Sequence, residues 1–226
     1  MGGRGSGSGL PSLNPNGGGS GGGGSSEPMD MNPGNPSTLA EALGKKGHPM
    51  SVDRAIAGAN PLFDGTGSTN EYNANCQRAV IATEARLRGY DVIASPTYEG
   101  DAYPRGGAWR DFFEGGRSAT VNVSKSTARA TMKEVEARMK EYGNGARATL
   151  DWTWKGKGNE GHVINVVQRN GKTYYYDGQH GGEYRNPMAL FERMRLSSKS
   201  VELMRVDNLQ FSEKAREAIR KRPKGL

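Results

Sequence analysis

Asn170-Gly171 lies between two apolar-rich runs, Val163 to Gln168 and Thr173 to Tyr176, and constrains the fold more tightly than any other feature of the chain. Asn-Gly tolerates the positive φ angles of a two-residue type I′ turn, and that turn matches the twist of paired strands. It predicts a hairpin in which Arg169 faces Lys172. Continued outward, the register sets His162 opposite Gln179, and Asp177 opposite Ile164 and diagonal to His162 on the same side of the ribbon. A single turn thus gathers His162, Asp177 and Gln179 on one face. An imidazole beside a carboxylate is an acid–base pair in search of a nucleophile.

The only cysteine supplies a candidate. Cys76 opens the strongest helical pattern in the chain: Cys76, Ala79, Val80, Thr83 and Leu87 fall on one stripe, Gly89 stops it, and Asn73 or Asn75 can cap its start. A free thiol is mostly protonated at neutral pH, and both a helix N-terminus and an imidazolium partner favour its thiolate. His162 would activate Cys76 and later protonate the leaving amine, while Asp177 or Gln179 would hold the imidazole in the useful tautomer. The Cys76 N–H, with a side-chain amide from Asn70, Asn73 or Asn75, would bind the oxyanion. The bland alternative is a small buried cysteine heading an apolar stripe. His180 competes with His162 for the role of base, but His162 lies inside the strand pattern; His48 precedes a proline and reads as solvated. One cysteine and three scattered histidines show no metal-ligand spacing, so neither a metal nor a cofactor is expected.

Around this core the pattern is α+β. Thr38 with Glu41 forms a capping box, Pro49 to Ile56 starts a second short helix, and Tyr90 to Ala94 reads as a strand. Thr97 to Gly116 is loop-like, with Trp109, Phe112 and Phe113 packing over the core. Ala128, Met132, Val135, Met139 and Tyr142 form another helical stripe, and Ala146 to Trp154 alternates as a strand. Val201 to Val206 is a last strand, and Ser212 is expected to cap a closing helix over Glu213 to Lys221. The 226 residues allow one domain plus tails. Residues 1–35 read as a disordered Gly/Ser-rich tail, 36–212 as the folded domain, and 213–226 as a basic helix and tail. The net charge of +7 is concentrated partly in that end. No aromatics interleave there to stack bases, which argues against nucleic acid as a partner. No signal peptide and no membrane span are expected, and a lone cysteine excludes an internal disulfide framework and suits a reducing compartment.

Several blocks together resemble one family. Gly58-Ala59-Asn60-Pro61, Tyr72-Asn73-Ala74-Asn75-Cys76-Gln77-Arg78 and Glu84 to Val92 are followed in order by Gly145-Ala146-Arg147, Gly161-His162-Val163-Ile164-Asn165-Val166, Tyr176-Asp177-Gly178-Gln179 and Arg205 to Leu209. Over roughly residues 42 to 210 this is similar to the papain-fold toxin family, glutamine deamidases or peptidases of polymorphic toxins and of phage and mobile-element proteins. Leu43 to Gly47 with Pro49 resembles the lead-in of phage minor-head versions. The resemblance implies a papain-like α+β fold, with a nucleophile-bearing helix packed on an antiparallel sheet. It also implies Cys76 as nucleophile, His162 as base and Asp177 as orienting acid, beside which Asn73, Asn75 and Gln179 stand as the oxyanion or orienting candidates read above from the residues. A protein substrate follows, with an immunity protein or phage head and capsid proteins as partners, in a target cell, a host cell or a virion. The alternatives are a phage structural protein whose papain fold serves docking, and a basic nucleic-acid-binding module. Two departures stand out: Ala79 replaces a frequent second cysteine, and Gly178 replaces a usual proline, which loosens the link beside Asp177.

Overall fold

A computed structural model of the chain describes residues 36–66, 71–97, 105–157, 160–197 and 200–226. The tail expected over residues 1–35, and Asn70, lie outside the described residues. The capping residues set the first two helices. Thr38 Oγ1 accepts from the Glu41 N–H at 3.1 Å to open α1 (Leu39–Leu43), and Ser51 plays the same part for α2 (Val52–Ala57).

Next comes α3 (Cys76–Leu87), the helix that carries the thiol. Its apolar stripe predicts one buried face, yet every residue from Ala79 to Leu87 is buried, Glu84 and Arg86 included. Both charges are paired. The Arg86 guanidinium bonds Ala55 O at 3.1 Å, Val92 O at 3.0 Å and Asp91 at 2.9 Å. Glu84 accepts from Arg88 at 2.7 Å and from both ends of the Arg147 fork at 2.8 and 2.9 Å. Buried charges persist only with such partners, and these tie the helix to its surroundings on all sides.

Strand β1 (Val92–Ala94) follows, then a 3-10 turn over Arg105–Phe112, α4 (Gly116–Ala119) and β2 (Thr120–Asn122). Trp109, Phe112 and Phe113 are buried in the α3 cluster, as their apolar character leads one to expect. Helix α5 (Ala128–Tyr142) buries Val135 and Met139 and ends at Gly143 with φ 94°. Strands β3 (Arg147–Thr153), β4 (Gly161–Arg169), β5 (Lys172–Asp177) and β6 (Gly182–Glu183) lead to α6 (Pro187–Glu192), β7 (Val201–Arg205) and β8 (Ile219–Lys221).

Six strands form one antiparallel sheet in the order β2-β7-β3-β4-β5-β6, and β1 pairs with β8 in a small second sheet. The β4–β5 hairpin has the register the turn predicts: Arg169 pairs with Lys172, and Asn170 and Gly171 take φ of 51° and 76°. The ladder closes at Asn165 and Tyr176, so the pairing of His162 with Gln179 expected from simple continuation does not form. Seven of the nine residues of β4, His162 to Gln168, are buried. Val163 joins the α3 cluster while Ile164 and Val166 join a second cluster with Val135, Met139 and Phe191. The sheet is therefore covered on both faces, and its central strand carries the imidazole.

The chain end differs from the expected closing helix. Glu213–Glu217 is a 3-10 turn, and Ile219–Lys221 is a strand antiparallel to β1. Ala215, Ala218 and Ile219 are fully buried in the α3 cluster. Apolar packing at these three positions overrides the helical pattern of the basic residues around them. Among the described residues, no helix is long and apolar enough to cross a membrane.

Candidate active site

His162 is the second residue of β4 and Asp177 the last of β5. His162 Nε2 lies 2.8 Å from Asp177 Oδ2, with both side chains almost wholly buried. Trp152 meets the imidazole edge-on at 5.3 Å, and Trp154 stacks on it at 6.1 Å with 17° between the planes. Cys76 is half-buried at the first position of α3, and its thiol is among the groups that act electrostatically on the same ring. With Nε2 facing the carboxylate, Nδ1 is the nitrogen left for sulfur. Burial by itself pushes the imidazole down; the hydrogen bonds and charges of Asp177 and Cys76 outweigh it and raise the ring from 6.5 to about 10. Burial likewise works against the Asp177 carboxylate, but His162 and His180 hold it well below the usual carboxylate range.

Asp177 is the hub of the site. Its Oδ2 also lies 2.6 Å from His180 Nδ1 and accepts the Tyr184 hydroxyl at 2.9 Å. Its Oδ1 accepts the backbone N–H groups of Gln179 at 3.0 Å and His180 at 3.2 Å. Two histidines that read as scattered thus converge on one carboxylate. Their donor atoms and that of Asp177 lie within 4.8 Å of one another, a metal-competent grouping that sequence spacing does not reveal. The turn after Asp177 is pressed against α3. A Cβ at Gly178 would stand 2.3 Å from Thr83 Oγ1 and 3.2 Å from Ala79 O. Gly178 therefore does not loosen the link; it permits a close approach that any side chain would block.

The three amides expected to serve the oxyanion or the imidazole are engaged elsewhere. Asn75 occupies the N-cap position without capping. Its Nδ2 donates to Asn60 Oδ1 at 3.0 Å and Ser95 O at 3.2 Å. Asn60 returns a bond to Asn75 Oδ1 at 3.0 Å and reaches Tyr72 O at 2.9 Å and Gln179 O at 3.1 Å. Asn73 donates to Asp64 at 2.9 Å. Gln179 Nε2 donates to Asn73 O at 2.5 Å, so Gln179 clamps the loop before α3 rather than the imidazole. Backbone groups are also at hand for an oxyanion. The Cys76 and Gln77 N–H groups precede the first α-helical bond, which runs from Ala79 to Asn75, and meet no acceptor among the described residues. Asn60, His180 and Tyr184 are the site residues that sequence reasoning misses or sets aside; an Asn before a proline reads only as a helix stop, and Tyr184 carries no spacing signal.

A cleft of about 480 Å³ opens beside Asp177, bounded by Trp154, Gln179, His180, Glu183, Tyr184 and Arg193. His162 lines it, and Cys76 is not among its lining residues. The fold and this grouping define a papain-like α+β domain, with a cysteine-bearing helix packed on an antiparallel sheet that supplies imidazole and carboxylate. Residues 74–182 match the family model described as papain fold toxin 1, glutamine deamidase, and over that segment the chain is similar to the papain-fold toxin family. No curated protein and no solved structure matches the chain.

Proposed function

We propose that this domain hydrolyses the side-chain amide of glutamine in a protein substrate, with Cys76 as nucleophile, His162 as acid–base and Asp177 as the group that orients His162. The observation that carries the reading is the buried His162–Asp177 contact of 2.8 Å, with Cys76 at a helix N-terminus among the groups that act on that ring. His162 takes the thiol proton, and the thiolate attacks the carboxamide carbon. Charge on the carbonyl oxygen is met by the Cys76 and Gln77 N–H groups. Collapse expels ammonia, which receives the proton from His162, and leaves a thioester. Water, deprotonated by the neutral ring, then releases glutamate and the thiol. A peptidase would use the same steps with a different leaving amine; the family description favours glutamine. The toxin setting follows from that description too, and an immunity protein of the same system would act by covering the cleft.

Incubation with a target-cell extract, followed by mass spectrometry, tests this. Glutamine-to-glutamate conversion in a protein, absent with Cys76→Ala, is the expected result. New chain termini in place of conversion would make the domain a peptidase, and the absence of both products would sink the hydrolase reading.

A further inference from the structure

We propose that His162, Asp177 and His180 form a zinc site that holds the thiol chemistry off. Asp177 Oδ2 lies 2.8 Å from His162 Nε2 and 2.6 Å from His180 Nδ1. Two imidazole nitrogens and a carboxylate oxygen are a donor set suited to zinc, and three protein ligands leave one position for water. That position faces the cleft, which His162, Asp177 and His180 all line. Bonds of about 2.0–2.1 Å in tetrahedral array set donors about 3.3 Å apart, so each imidazole nitrogen must draw back from Asp177 Oδ2 by roughly half an ångström. His180 can supply the movement, because its side chain is 48 % exposed while those of His162 and Asp177 are fixed in the interior. The surroundings hold the carboxylate for the ion. Oδ1 is gripped by the Gln179 and His180 N–H groups, and the Tyr184 hydroxyl stands 2.9 Å from Oδ2, an orienting arrangement of the kind that tunes metal ligands.

Zinc replaces the proton between each imidazole and the carboxylate, and those protons pass to solvent. It takes the Nε2 lone pair of His162, the atom through which Asp177 orients the ring. His162 can then no longer pass a proton between the thiol and the leaving amine. Metal binding does not depend on the hydrolase reading; its effect on turnover does.

Calorimetric titration of the full chain with zinc chloride, repeated with cobalt(II) as a spectroscopic probe, tests the site. The wild type and Cys76→Ala are expected to bind one ion with similar affinity, and His180→Ala to bind at least ten-fold more weakly while keeping its circular dichroism. His48→Ala is the control at an exposed histidine and is expected to match the wild type. No binding by the wild type, or binding lost in Cys76→Ala and kept in His180→Ala, would overturn the proposal. Zinc is also expected to slow iodoacetamide labelling of Cys76, with recovery on adding EDTA. Tight binding without that slowing would overturn its inhibitory role.

Discussion

Gly178 shows how one residue can be misread from sequence and still be decisive. As a glycine in place of a proline it suggests slack beside Asp177, whereas in the fold it lets the turn touch Thr83 and Ala79 of α3. Gly178→Ala is expected to lower turnover at least ten-fold, and Thr83→Ala to restore part of it, because the hydroxyl is the nearer obstacle. Strictly additive losses in the double-mutant cycle would contradict this contact. Asp177→Asn removes the charge that orients and stabilises the imidazolium, and kcat is expected to fall by about 10³–10⁴-fold. The pH dependence follows from His162. Its folded value is raised from 6.5 to about 10, so the stability it contributes is complete below pH 6.5 and is lost as the pH rises through 10. The stability difference between wild type and His162→Gln, measured by denaturant titration, is expected to be level below pH 6.5 and to shrink toward pH 10. A difference that grows over that range would contradict the assignment.

At the scale of elements, the hairpin was the most legible part of the chain, because Asn170-Gly171 dictates a turn from local backbone preference alone. The start of α3 was equally legible, since a stripe of small and apolar residues follows Cys76. Its full burial was not. A helix enclosed on all sides needs its charges answered from distant segments, and the partner of Glu84 in β3, Arg147, is far away in sequence. Glu84→Ala leaves Arg147 and Arg88 without that carboxylate, and a loss of about 3 kcal/mol is expected in chemical denaturation. A change under about 0.5 kcal/mol would mean that the helix does not rely on this tie. The placement of His162 near Asp177 thus came from pattern and the papain-like architecture from the family resemblance, whereas the commitments of Asn73, Asn75 and Gln179 came from packing. Amide side chains carry no periodicity, and only three-dimensional neighbours decide which bonds they make.

For the whole molecule, the site depends on joining a helix-borne thiol to a sheet-borne acid–base pair. Asn60 links the loops before α3 to Gln179, and Asn165 of β4 donates to Val80 O of α3 at 3.2 Å. The chain end contributes as well: Ile219 is fully buried against the α3 cluster, and Ser95 N donates to Ala218 O at 2.9 Å. Ile219→Ala is expected to cost about 2–5 kcal/mol in denaturant titration, the range for deleting a buried branched side chain, although it lies far along the sequence from Cys76. A neutral substitution would show that β8 is an appendage. Basic residues disguised this end in the sequence, because charge is visible in composition and three small or apolar contacts are not.

The most direct test of the thiol–imidazole–carboxylate assembly is the rate of Cys76 alkylation by iodoacetamide at about pH 6, compared among wild type, His162→Ala and Asp177→Asn. An ordinary thiol is almost wholly protonated there and reacts slowly, whereas a thiolate held by imidazolium reacts at once. The wild type is expected to label fast, His162→Ala at least ten-fold more slowly, and Asp177→Asn in between. Equal, slow labelling of all three would contradict the account, because Cys76 would then be only a half-buried thiol at the head of a helix.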